Sequence, residues 1–294
     1  MAFPLRFSPL MQASTTQRHL AGIQAELSSV TQAAVTGLSV HDPSDAPGEW
    51  HGILDLQASV SDQPLFQENG VAATAMLATI DTSLGDAKDA MDRAIEIAVQ
   101  MSSETFNDQD RADAAIEVDQ LFSQVVELAN TSYGDRYLFA GTAYDAPPFD
   151  TAGTYLGSNE TPESMVGADL RAQTGYDGST IFPDALQALD DLAVALRSGV
   201  GSAPATQDML DDLQGATETL VLRRVEAGFD YNDAEDAIRT SENLELTLQS
   251  ALDGEIAADP IETYTRLAEL QGTYQAALQV TAQAGSSSLF DFLR

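Results

Sequence analysis

Apolar residues recur at alternating steps of three and four at both extreme ends of the chain, and this spacing constrains the fold more than any other feature. Near the N-terminus the row is Leu20, Ile23, Leu27, Val30 and Ala34. Near the C-terminus it is Leu267, Leu270, Tyr274, Ala277, Thr281 and Ala284, with Leu278 beside it. A mean repeat of about 3.5 residues keeps one stripe facing a partner helix, which is the condition for a coiled coil. The spacing returns in the interior at Leu77, Ile80, Leu84, Ala87, Met91, Ala94, Ala98 and Met101, and at Ala115, Val118, Phe122, Val125 and Ala129. One stripe alone reads as ordinary bundle core. Its recurrence at both ends predicts two long terminal helices that pair. Their seams are narrow and flanked by glutamines (Gln17, Gln24, Gln271, Gln275, Gln279). A pair burying so little is marginal by itself, so the ends are expected to gain order when many copies assemble.

Helix punctuation agrees. Ser8 reads as an N-cap with Pro9 at the first helical position, and Gly37 lies past the end of that helix. Asp259, Pro260 and Glu262 form a second cap, of capping-box type, and Gly285 reads as the stop of the last helix. At about 1.5 Å per residue each helix spans roughly 40 Å. No proline occurs from Leu65 to Ala146 or from Ala205 to Asp259, which marks both stretches as helical. Between them, Gly134–Gly178 holds seven of the 20 glycines, and tyrosines cluster there, so short strands and turns are expected. The fold class is mainly α, with a small β-rich central insert.

Charge and chemistry narrow the function. Asp and Glu total 46 against 13 Lys and Arg, a net charge of −33, and Lys88 is the only lysine. Such a surface repels phosphate backbones and anionic lipid, so neither nucleic-acid binding nor membrane insertion is expected. A hydrophobic content of 44% separates the chain from an acidic disordered tail. Without cysteine there is no disulfide frame, thiolate nucleophile or thiolate metal site. The first ten residues lack a continuous apolar core, so no cleaved secretory signal is expected. His19, His41 and His51 show no metal-ligand spacing and read as surface or turn residues, although Asp42, Asp45 and Glu49 lie near the latter two. Calcium loops started at Asp108 or Asp230 fail at the required glycine, where Asp113 and Glu235 stand. Asn107, Asp108 and Asp110 fit a helix cap and first-turn charges better. No nucleophile elbow, phosphate loop or dinucleotide fingerprint is present. The chain is therefore not expected to be an enzyme, and no catalytic, cofactor or metal residue is nominated. Trp50, the single tryptophan, is expected as a buried anchor, or else as an exposed contact for a neighbouring subunit.

Several segments resemble one known family. Thr36-Gly37-Leu38, followed by Asp42-Pro43-Ser44-Asp45-Ala46-Pro47, is similar to a segment of the flagellin and hook-associated protein superfamily. Gly134 to Gly141, containing Arg136, Tyr137, Leu138, Phe139 and Ala140, then Pro148-Phe149, resembles the signature of the hook–filament junction family, the third hook-associated proteins. Ala276 to Val280 and the tip from Ser288 to Leu293 resemble that family's end. Pro43, Ser44, Asp45, Tyr137, Phe139, Gly141 and Phe149 thus carry the family motifs.

The resemblance implies a helical hairpin with discontinuous arms. Residues 1–42 with 255–294 would form an inner coiled-coil domain, 43–150 with 182–254 a helical rod, and 151–181 an outward-facing insert. It implies a structural flagellar subunit exported by the type III route without signal cleavage. That subunit would sit outside the cell at the hook–filament junction. Its partners would be further copies in a ring-like axial assembly, the first hook-associated protein, flagellin and an export chaperone. No cofactor is implied. Leu20, Ile23, Leu27, Val30, Leu267, Leu270, Tyr274 and Leu278 are the expected coiled-coil and subunit-interface residues, with Phe290 and Leu293 contacting neighbours at the tip. The alternatives are a minor flagellin that forms filament itself and a stand-alone secreted coiled-coil adaptor.

Overall fold

The computed structural model describes the backbone of residues 9–103, 106–198 and 203–292, and the side chains of 14–103, 106–198 and 209–282. Six helices dominate: α1 (Pro9–Thr36), α2 (Trp50–Met101), α3 (Asp108–Ala129), α4 (Pro183–Ser198), α5 (Ala203–Ile256) and α6 (Pro260–Phe292). Between α3 and α4 lie two antiparallel strand pairs, β1 (Ser132–Tyr133) with β2 (Arg136–Tyr137) and β3 (Glu163–Met165) with β4 (Arg171–Gln173). The mainly helical fold with a small β-containing middle agrees with the sequence pattern. By contact density the chain divides into two compact units, Met1–Val60 with Leu246–Arg294, and Ser61–Glu245.

In the larger unit the interior rows behave as their spacing requires. Leu77, Ile80, Leu84, Ala87, Met91, Ala94 and Ala98 on α2 are all essentially inaccessible, as are Ala115, Val118, Val125 and Ala129 on α3. Phe122 is half-buried against the same core. The stretch of α2 within this unit runs antiparallel to α5. Gln63 meets Ser241 near one end and Asp81 meets Arg224 farther along. Gly70 marks a close approach: a Cβ there would lie 2.6 Å from Cγ1 of Ile238. Helix α3 packs along α4. Its start is a reciprocal cap in which Asn107 accepts from the Asp110 N–H and Asp110 accepts from the Asn107 N–H, the role read for these residues from the sequence.

Two helix boundaries differ from their sequence signals. Helix α2 starts at Trp50, so Pro64 lies inside it rather than ahead of it. An interior proline removes one backbone hydrogen bond and costs about 3 kcal/mol. The helix is held on both sides of the fault, by Ile53 packed on Leu252 and Ile256 within the smaller unit and by Gln63, Ala73 and Leu77 within the larger. Helix α6 does not stop at Gly285 but continues to Phe292. A helical glycine costs only about 1 kcal/mol relative to alanine, too little to end a helix without a following proline or a left-handed residue.

Candidate functional site

In the smaller unit α1 and α6 lie side by side and antiparallel, with Arg266 on Glu26 and the Tyr264 hydroxyl 3.5 Å from the Ala34 carbonyl. Every position of the expected seam with a described side chain faces inward. Leu20, Ile23, Leu27, Val30 and Ala34 are half-buried, as are Leu267, Tyr274, Ala277 and Thr281, and Leu270 is buried. Of the described residues in both rows, only Leu270 reaches full burial, so the pair is a thin contact rather than a core. Leu278 departs from this pattern: it is 45% exposed and lies outside the seam. A helical residue directly after the seam position Ala277 is turned away by about 100°. The Phe290 side chain and Leu293 lie outside the described residues, as does Ser8.

The first motif closes this pair. Gly37, at φ +75°, ends α1 in a conformation that side chains resist, and its amide N–H donates to the Ala33 carbonyl. The chain then bonds to the link between α5 and α6. The Ser39 amide donates to the Ile256 carbonyl at 2.7 Å, and the Ala258 amide to the Gly37 carbonyl at 2.9 Å. The Asp45 carboxylate accepts the His41 and Asp42 backbone N–H groups, each at 3.0 Å, which holds its pKa below the ordinary aspartate value. Pro43 and Ser44 are exposed in that turn. His41 bonds the Thr36 hydroxyl at 2.8 Å, and His19 and His51 are exposed. The Asp259 carboxylate accepts from the Ile261 and Glu262 amides, capping α6. Trp50, at the first position of α2, is half-buried and absent from the cluster of Ile53, Leu252 and Ile256. It is not the fully buried anchor expected.

The second motif, in the larger unit, is a structural knot. Phe139 is wholly buried and meets Phe182 edge-on, ring centroids 4.8 Å apart. Phe149 meets the same ring at 5.7 Å and Tyr155 at 5.2 Å. The strand of backbone carrying Phe139 is bonded on both sides: the Leu138 amide donates to the Thr131 carbonyl, and the Tyr176 and Gly178 amides donate to the Leu138 and Phe139 carbonyls. Gly141, at φ +61°, passes so close that a Cβ would sit 2.1 Å from the Ser158 carbonyl oxygen. Tyr137 is half-buried, its amide donating to the Tyr144 carbonyl at 3.0 Å. Sequence reasoning missed three contributors. Asn130 brackets Phe149, accepting from its N–H and donating to its C=O, both at 2.9 Å. Asp177 caps the short turn Gly178–Thr180 through the Ser179 amide. The Tyr176 hydroxyl donates to Asp230 on α5, and burial raises the Tyr176 pKa. Only the Asp-Gly-Ser run of the second left a readable turn signal.

Many of the described cations are paired with carboxylates of the same chain. Lys88 pairs with Asp92, Arg93 with Glu96 and Glu117, Arg171 with Glu163, Arg197 with Asp119, Arg224 with Asp81 and Arg239 with Glu235. Among the described residues no three His, Asp or Glu side chains converge as a metal site would require, and no helix is long and apolar enough to cross a membrane.

The smaller unit is thus a pair of terminal helices with a glycine-capped turn, and the larger a helical bundle knotted by aromatic loops. Residues 7–144 match the bacterial flagellin N-terminal helical region. Flagellar hook-associated protein 3 of Escherichia coli is 32% identical over 224 residues, which cover 74% of this chain and 68% of that protein. The Salmonella typhimurium protein of the same name is 28% identical over 259 residues, covering 84% and 79%. The chain belongs to the flagellar hook-associated protein 3 family, a family of structural flagellar components. Two solved structures share the fold. They are Bacillus cereus FlgL (TM-score 0.59, 22% identity, 66% of this chain and 97% of that one) and a hook-associated protein from Vibrio parahaemolyticus (TM-score 0.63, 16% identity, 72% and 100%).

Proposed function

We propose that this chain joins the flagellar hook, through the first hook-associated protein, to the flagellin filament, as a ring-like axial assembly of its own copies. The observation that carries this reading is the thin seam between α1 and α6. It buries too little apolar surface to stand alone and leaves the glutamine-bearing faces of both helices exposed. The family's name supports the same placement, and the minor-flagellin alternative is not favoured. The subunit-interface residues are Leu20, Ile23, Leu27, Val30, Leu267, Leu270, Tyr274 and Leu278, with Phe290 and Leu293 at the tip. The terminal parts 1–42 and 255–294 form the inner domain, 43–150 with 182–254 the rod, and 151–181 the outward insert. Export follows the type III route without signal cleavage and with a flagellar export chaperone. Immunogold labelling of purified flagella tests the assignment. A single short band at the hook–filament boundary is expected; label along the filament would make the chain a minor flagellin.

Limited proteolysis of the purified monomer is expected to remove roughly the first 40 and last 35 residues and leave a resistant middle, because exposed, weakly packed ends are cut first. Full protection of both ends, read by mass spectrometry, would instead favour the stand-alone adaptor.

The charge sets a second expectation. With a net charge of −33 and so many cations committed to internal pairs, copies repel when packed together. Salt shortens the reach of that repulsion to about 10 Å at 0.1 M. Assembly should therefore strengthen as ionic strength rises, read by sedimentation or light scattering. A steady weakening with salt would contradict it.

A further inference from the structure

Helices α1 and α6 are nearly empty of charge. Over their whole lengths they hold two arginines and four acids, a balance of −2 in a chain of −33. Like-charge repulsion between copies is therefore small along this pair. Glu26, Arg266 and Glu269 are joined to one another. Arg18 and Glu262 are left over, one on each helix. Both are exposed, and among the described residues neither has a partner of opposite charge. Arg18 reaches only the Ser14 carbonyl of its own helix, at 3.4 Å. Because the helices are antiparallel and Glu26 meets Arg266, Arg18 stands level with Tyr274. Glu26 is eight positions, about 12 Å, to one side of that level, and Asp291 is seventeen positions, about 25 Å, to the other. Glu269, about 8 Å away, is committed to Arg266.

We infer that Arg18 of one copy pairs with Glu262 of the next, a deepening that rests on the assembly reading above. The unmatched cation and the unmatched anion are complementary, and a second copy supplies both on one weakly charged surface. Glu262 lies twelve positions from the level of Tyr274. Copies side by side, offset by about 18 Å along the helix axis, therefore bring the two together. The contact joins different residues of identical chains, so each copy donates through Arg18 and accepts through Glu262. Such a head-to-tail interface propagates around a ring or along a helical row instead of stopping at two copies. An ion pair exposed to water adds little. Between copies, packed helices exclude water from it, and its chief effect is to fix register and direction.

A charge swap tests the inference. Cells carrying only the Arg18→Glu, Glu262→Arg or doubly swapped form of the full chain are compared for the amount of chain in isolated hook–filament particles. Each single reversal sets like charges against each other and is expected to lower incorporation by about tenfold, while the double swap restores it. Wild-type incorporation of either single variant, or a double variant no better than the singles, overturns the inference. A second readout keeps both charges in place. The chain has no cysteine, so cells co-expressing its Ser14→Cys and Thr265→Cys forms carry each thiol on a separate copy. Ser14 and Thr265 stand one turn from Arg18 and Glu262, on the same faces. A short bismaleimide is expected to give a species of twice 31.2 kDa joining residues 14 and 265. Its absence, with both forms present in the particles, also overturns the inference and leaves the assembly reading standing. Absence of the wild-type chain from the particles overturns both.

Discussion

Leu27→Asp is expected to abolish incorporation of the chain into the flagellum while the larger unit stays folded. Leu27 faces inward at mid-length of α1, half-buried in a seam whose only fully buried described residue is Leu270. Placing a carboxylate there removes apolar contact and adds a charge that must be either desolvated or swung out of the pair. Arg266, the α6 cation that reaches across the pair, already binds Glu26 and Glu269. A thin seam has little reserve, so one charge suffices to open it. The interior rows of α2 and α3 belong to the other unit and do not depend on it. Circular dichroism and the size of the protease-resistant fragment should match wild type, while the protein is absent from purified flagella. Normal incorporation would count against the terminal seam as the assembly element.

Phe139→Ala is expected to cost the larger unit about 3–5 kcal/mol, the range for deleting a fully buried aromatic side chain. Phe139 is 0% exposed and contributes the edge-on contact to Phe182, which in turn meets Phe149. Relaxation into the cavity is restricted, because the backbone at residues 138–141 is bonded to residues 131, 158 and 176–178. Denaturant unfolding of the proteolytically trimmed middle measures it. A loss below about 1 kcal/mol would show that the aromatic knot collapses freely and is not what orders these loops.

The two effects separate roles that the family motifs leave mixed. The Gly37–Asp45 segment fastens the end of α1 to the link between α5 and α6, so it controls how the terminal pair begins. The Tyr137–Gly141 and Phe149 segments instead build interior structure, and their tight glycine and buried rings reflect packing rather than contact with partners. Phe229, by contrast, is exposed.

Periodicity alone determined the buried rows of α2 and α3 and the inward seams of the two ends. A 3–4 repeat leaves a helix only one apolar side to bury, and local caps such as Asn107, Asp259 and Gly37 state where helices begin or end. A stripe at Leu222, Val225 and Phe229 on α5 was equally periodic, yet its exposure was not legible. Spacing shows that residues share a face but not which face finds a partner. Tertiary structure decided that question, because α5 turns its alanine-rich side toward α2. Long-range packing also decided that α2 continues through Pro64: the helix is anchored on both sides of the fault, and this outweighs one missing hydrogen bond. Only the fold revealed Asn130 gripping Phe149 and Tyr176 reaching Asp230, since each joins residues 19 to 54 positions apart whose identities carry no local signal.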